Sequence, residues 1–379
     1  MRYLAEPAFA HDRPRRIGVL LVNVGTPDAP TIAAVRSYLA EFLSDPRVVE
    51  IPAVLWKPAL HGVILRVRPA RSARKYAAIW GKDGSPLLAH SLRQKTLLQG
   101  YLGQRLKALG LPSDHAQIEI GMRYGRPAIA AAIAALKDGG CDRMLVLPLY
   151  PQYAASTTGA ALDAVFAALG RMRHVPALRV VGPYHDDEGY IKAVAQGIND
   201  YWMKNGRPNK LVLSFHGVPR RSLDLGDPYH CHCRKTARLV AAELGLRSEQ
   251  YAVAFQSRFG RAQWLQPYTL PTLLALAKEG MRRVDVAGPG FVSDCLETLE
   301  ELGQGAQAAF LGAGGQELHC IPCLNERPAW IAALADLAVR NLQGWLDAPA
   351  DAAARELSQA RAKALGAGGQ ELHCIPCLN

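Results

Sequence analysis

Leu20-Leu-Val-Asn-Val-Gly-Thr-Pro27 and Val212-Leu-Ser-Phe-His-Gly-Val-Pro219 are two versions of one phrase. Each is an apolar run closed by a glycine, with a proline two residues on. A short apolar run bounded by turn residues fits a strand buried on both faces of a parallel sheet. Further runs of this kind are Met144–Leu149, Leu178–Val181 and Val284–Ala287. Helical periodicity fills the intervals, over Ile32–Leu43, Leu87–Leu109, Ile129–Lys137, Ala160–Leu169, Ile191–Met203, Arg234–Leu244, Pro271–Lys278 and Leu296–Leu302. Strands that alternate with helices imply a doubly wound α/β fold. The repeat continues outward from the opening phrase. Arg123-Tyr-Gly-Arg126 reads like Arg258-Phe-Gly-Arg261, and Gly140-Cys-Asp-Arg143 before one strand reads like Gly280-Met-Arg-Arg283 before another. The order is the same in both halves. Two similar α/β domains are therefore expected, 14–176 and 177–346, with a boundary near Val175–Leu178. Ligands of open α/β sheets bind beyond the carboxyl ends of the strands, so the cleft belongs there.

A second repeat is identical in all its residues: LGAGGQELHCIPCLN occurs as Leu311–Asn325 and again as Leu365–Asn379. The first copy leads into a helical pattern, and the second lies in the stretch 347–379, an appendage to the predicted fold.

Composition narrows the function. The chain has 379 residues, 49% apolar and 20% charged, which excludes a disordered chain. No run approaches the ~18 consecutive apolar residues of a membrane span. Met1–Arg16 lacks the apolar core of a secretory leader, so a cytoplasmic location is expected. The net charge of +11 admits nucleic acid, an anionic membrane or an acidic substrate. Without a zinc finger, an RNP-like motif or a Lys/Arg run interleaved with aromatics, nucleic acid is not expected as a partner. No G-x-G-x-x-G follows a strand, and neither a P-loop nor a G-x-S-x-G elbow occurs.

Two features carry chemistry. His216 ends a strand beside Gly217, where an imidazole can take a proton near neutral pH or ligate a metal. In Ser293-Asp-Cys-Leu-Glu-Thr-Leu-Glu-Glu301, an α-helix would align Asp294, Glu297 and Glu301 on one stripe. Such a stripe, starting at the cleft, suits conduction of protons or a divalent cation.

These segments, with Leu149-Tyr-Pro-Gln-Tyr153, Ser156-Thr-Thr-Gly159 and Ile321-Pro-Cys-Leu-Asn325, resemble the ferrochelatases in family order from about Arg16 to Trp345. The resemblance implies two similar Rossmann-like domains, each a parallel sheet flanked by helices, with a porphyrin cleft between them. It implies insertion of Fe²⁺ into protoporphyrin IX to give protohaem, the terminal step of haem synthesis. By the same resemblance, His216 and Glu297 are the catalytic and metal-contacting pair, and Asp294 and Glu301 form an acidic path. Arg123 and Tyr124 line the pocket, while Arg68, Tyr76 and Ser85 lie near the propionates. Val24 stands where the family often has Met or Tyr. Another tetrapyrrole chelatase and a non-catalytic porphyrin carrier are the rival readings. The first tends to pair two histidines, and the second would not need the carboxylates.

No prosthetic group is expected, with Fe²⁺ a substrate. Some ferrochelatases carry a [2Fe–2S] cluster, but here Ala155 replaces the internal cysteine before Ser-Thr-Thr-Gly, and Cys320-x-x-Cys323 with its copy Cys374-x-x-Cys377 belongs to the duplicated segment. His230-Cys-His-Cys233 reads as a capped turn opening a helix. An apolar lip, Val54–Leu65, is followed by Arg66, Arg68, Arg71, Arg74 and Lys75, a pattern that suits peripheral contact with an anionic membrane.

Overall fold

The computed structural model describes residues 16–260 and 262–346, together with Tyr3, Glu6, Leu357 and Ala360. The second copy of the duplicated segment and nearly all of 347–379 lie outside the described residues, as do residues 14 and 15 of the first expected domain.

Eight parallel strands form two four-stranded sheets. β1 (Arg16–Thr26), β2 (Ala116–Gly125), β3 (Cys141–Pro148) and β4 (Ala177–Val180) lie in the order β2-β1-β3-β4. β5 (Lys210–His216), β6 (Tyr251–Gln256), β7 (Arg283–Ala287) and β8 (Glu317–Cys320) lie in the order β6-β5-β7-β8. The second order is the first one repeated, as the sequence phrase implied. The phrase falls on β1 and β5, each flanked by strands on both sides and covered by helices on both faces. That position demands an unbroken apolar run, and Val19–Val22 and Leu211–Phe215 are buried. Gly140 and Gly280 both have positive φ, near 84° and 83°, and turn the chain into β3 and β7.

Register corrects one part of the repeat. Asn23 pairs with Met122 and Phe215 with Phe255, and the amides of Met122 and Phe255 donate to the carbonyls of Pro127 and Pro267. Arg123 therefore matches Gln256 in place, two residues before the sequence match at Arg258.

Ala177–Val180 pairs with β3, register Met144 to Leu178, so the first sheet takes its fourth strand from beyond residue 176. The last helix, Pro328–Leu342, crosses back onto the first half and packs on the helix Pro86–Ala108, with Arg105 and Asp336 in an ion pair at 2.8 Å. One core runs through both halves, including Leu98, Leu102 and Leu106 of the early helix, Trp202, Phe215, Ile331 and Leu334. Among the described residues, no helix is long and apolar enough to cross a membrane.

Candidate active site

The site collects where β1, β5, β6 and β7 end. His216 is the last residue of β5, half-buried, and its register partner on β6 is Gln256. Its Nδ1 lies 2.7 Å from the carbonyl oxygen of Gly217. A carbonyl only accepts, so Nδ1 carries the proton and Nε2 keeps the lone pair of the neutral ring. Tyr229 Oη donates to the His216 carbonyl at 2.9 Å, which fixes the strand end from below.

Glu297 opens the helix Glu297–Ala306, which is wound as a π-helix. Its carbonyl accepts from Gln256 Nε2 at 3.1 Å, tying the acidic helix to the strand beside His216. The Glu297 charge reaches Tyr38, Tyr76 and Arg68, whose ionisation it biases. Burial, reinforced by Glu297, raises the Tyr76 hydroxyl far above its ordinary range, so it stays a neutral donor. Burial lowers the Arg68 guanidinium, against the opposing pull of Tyr76 and Glu297. Arg68 lies over the Phe259 ring, 4.9 Å from its centroid.

The three-carboxylate stripe is not what the fold builds. The π-winding begins at Glu297, and Asp294 precedes it on an irregular turn. Asp294 is buried, and both its oxygens are engaged, by Thr298 Oγ1 at 2.9 Å, Asn325 Nδ2 at 2.6 Å and the Cys323 amide at 3.3 Å. It clamps the Ile321–Asn325 turn to the acidic helix. Glu301 spends both oxygens on Ser257, whose φ of 64° needs holding in the left-handed region. Glu300, unremarked in the sequence, pairs with Lys75 of the helix Leu65–Ile79 at 2.6 Å and pins that wall to the acidic helix.

The opposite wall also departs from its expected form. Tyr124 has no exposed surface, and its hydroxyl donates to Asp45 at 2.8 Å, so it supports the wall rather than lining it. Arg123 reaches the same Asp45 carboxylate at 2.5 Å and keeps some exposure. Ser85 is buried, accepting from Thr26 Oγ1 at 2.8 Å, and Tyr76 is buried edge-on to Tyr38. Val24 is half-buried at the end of β1. Sequence reading missed Asp45, because Ser-Asp-Pro reads as an ordinary turn, and missed Gln256, because its strand carries no glycine or proline signal.

The ferrochelatase family model matches residues 16–342. The chain belongs to the ferrochelatase family. It is 58% identical to the ferrochelatase of Methylibium petroleiphilum over 97% of this chain and 99% of that one. Identity to the ferrochelatase of Aromatoleum aromaticum is 56%, over 98% and 99%, and to that of a Polaromonas species 52%, over 97% and 100%. The ferrochelatase reaction inserts Fe²⁺ into a porphyrin in haem biosynthesis.

Burial raises the thiols of Cys295 and Cys323 and pushes Cys320 up to about 12, and Cys320 Sγ donates to the Thr298 carbonyl at 3.4 Å. Cys374 and Cys377 lie outside the described residues. At His230–Cys233 the side chains part company. His230 stacks on Phe255, His232 on His185, Cys231 is exposed and Cys233 is buried.

Proposed function

We propose that His216 and Glu297 carry the insertion of Fe²⁺ into protoporphyrin IX, giving protohaem. The observation that supports this reading is the Gln256 link, which joins the strand end of His216 to the first residue of the acidic helix. A free-base porphyrin loses two pyrrole protons for each Fe²⁺ that enters. Nε2 of the neutral His216 ring is one acceptor, and the Glu297 carboxylate offers a second. One imidazole and one carboxylate also hold iron more loosely than a closed four-ligand site, so the metal can pass on to the macrocycle. Arg68 supplies positive charge for the propionates. Phe259 adds exposed flat apolar surface, and a rigid cleft can bend a macrocycle with binding energy from its rim.

Val54, Leu55, Val63 and Val67 are exposed on the lip beside exposed Arg66, Arg71 and Arg74. This reading keeps peripheral membrane contact for that edge, where an apolar porphyrin partitions. The test of function is anaerobic incubation with Fe²⁺ and protoporphyrin, followed by absorbance. Protohaem formation by the wild type, with loss in His216→Ala and a severe fall in Glu297→Gln, is the expected result. A porphyrin shift without protohaem would make the protein a carrier, and wild-type rates in either variant would remove that residue from the reaction.

A further inference from the structure

We propose that Gln256 is a positioning residue, which sets the Glu297 end of the acidic helix relative to His216 through a polarised chain of buried side chains. The inference rests on the reading of His216 and Glu297 as the reacting pair. Thr269, Ser214 and Gln256 are all buried, on the helix Thr269–Lys278, on β5 and on β6. Ser214 Oγ donates to Gln256 Oε1 at 2.8 Å, and Gln256 Nε2 donates to the Glu297 carbonyl at 3.1 Å. The single Ser214 proton is thereby used. The 2.8 Å contact between Ser214 and Thr269 must then have Thr269 as donor.

The direction of the chain is fixed at its far end. The Glu297 carbonyl can only accept, so the amide must present Nε2 there and Oε1 to Ser214. Gln256 is anchored again through its backbone, whose carbonyl accepts from the Gly217 amide at 2.8 Å, one residue past His216. One residue therefore holds both sides. Its main chain fixes the turn that follows His216, and its side chain fixes the first turn of the helix that begins with Glu297. Near-attack geometry is sensitive to displacements of about 1 Å, so loosening this link should cost turnover rather than porphyrin affinity.

The experiment measures kcat and both KM values, for Fe²⁺ and for porphyrin, on the full chain. Gln256→Leu, which removes the donor and the acceptor, is expected to lower kcat about tenfold to a hundredfold and leave the porphyrin KM within about twofold. Ser214→Ala, one bond further away, should lower kcat in the same direction by less, and it serves where Gln256→Leu fails to fold.

A kcat within twofold of wild type in folded Gln256→Leu and Ser214→Ala would overturn the inference. So would a fall in kcat matched by a rise in porphyrin KM. Normal turnover in His216→Ala and Glu297→Gln would overturn the underlying reading instead. Loss of turnover there, with normal turnover in Gln256→Leu, would overturn the positioning role alone.

Discussion

Val24 and His216 occupy the same place in the two halves, at the end of the central strand, one step before the glycine. The neighbouring strands also correspond, since Asn23 pairs with Met122 and Phe215 with Phe255, which sets Arg123 level with Gln256. What differs is the anchoring. In the first half, Arg123 turns to Asp45, a buried carboxylate that also takes the Tyr124 hydroxyl and the Arg47 amide. In the second half, Gln256 turns to the carbonyl of Glu297, and the buried carboxylate, Asp294, holds the Ile321–Asn325 turn. One half ends its central strand on an aliphatic side chain beside an arginine paired with Asp45, the other on an imidazole beside an amide that reaches the acidic helix. The lesson is that two sheets of the same strand order can present different groups at the same step of the central strand.

That contrast can be broken most sharply at the equivalent pair. His216→Ala should reduce iron insertion by about a thousandfold, the scale of a lost general base, whereas Val24→Ala should stay within about tenfold. Stopped anaerobic assays of both variants decide it, and equal losses would erase the distinction between the halves. Next in size is the first-half clamp. Asp45→Ala leaves Arg123 and Tyr124 without their partner and should destabilise the protein by about 3 kcal/mol, read from urea unfolding. The second-half clamp compares with it. Asn325→Ala should cost about 2 kcal/mol, because Asp294 loses a bond at each of two atoms.

The smallest effect sits where the halves meet. His185 follows β4 and stacks on His232 of the helix Tyr229–Glu243, with ring centroids 3.7 Å apart. Burial and then His232 push the His185 imidazole down to about 4, against Asp186 and with Lys235. At pH 7 the ring is neutral folded and unfolded. Below about 6.5 the unfolded chain binds a proton that the folded one refuses until about pH 4, so stability falls with pH across that window. His185→Gln should flatten the fall. Melting at pH 7 and pH 5 should show the wild type losing a few degrees more than the variant.

The central strands were legible because a doubly buried strand must be apolar throughout. β2, Ala-Gln-Ile-Glu-Ile-Gly-Met-Arg-Tyr-Gly, escaped notice because it lies at a sheet edge and alternates its burial. β6 and β8 are also edges, short and mixed in character. A strand as short as β4 does not announce which sheet it joins, and here it pairs with β3. His216 and Glu297 were visible as unusual residues at strand and helix ends. Asp294 and Tyr124 read equally well as site residues, and only their hydrogen bonds reveal them as supports. Asp294 leaves the predicted stripe because it precedes the helix, where Thr298, Cys323 and Asn325 take its oxygens.

The returning helix Pro328–Leu342 has a bearing on biogenesis. Ribosomes deliver the chain from its amino end, and the early helix that it covers, Pro86–Ala108, emerges more than two hundred residues sooner. Until the carboxyl end is released, Leu98, Leu102 and Leu106 lack part of their cover. The apolar flank of the early helix is therefore completed last, by the end of the chain that is made last.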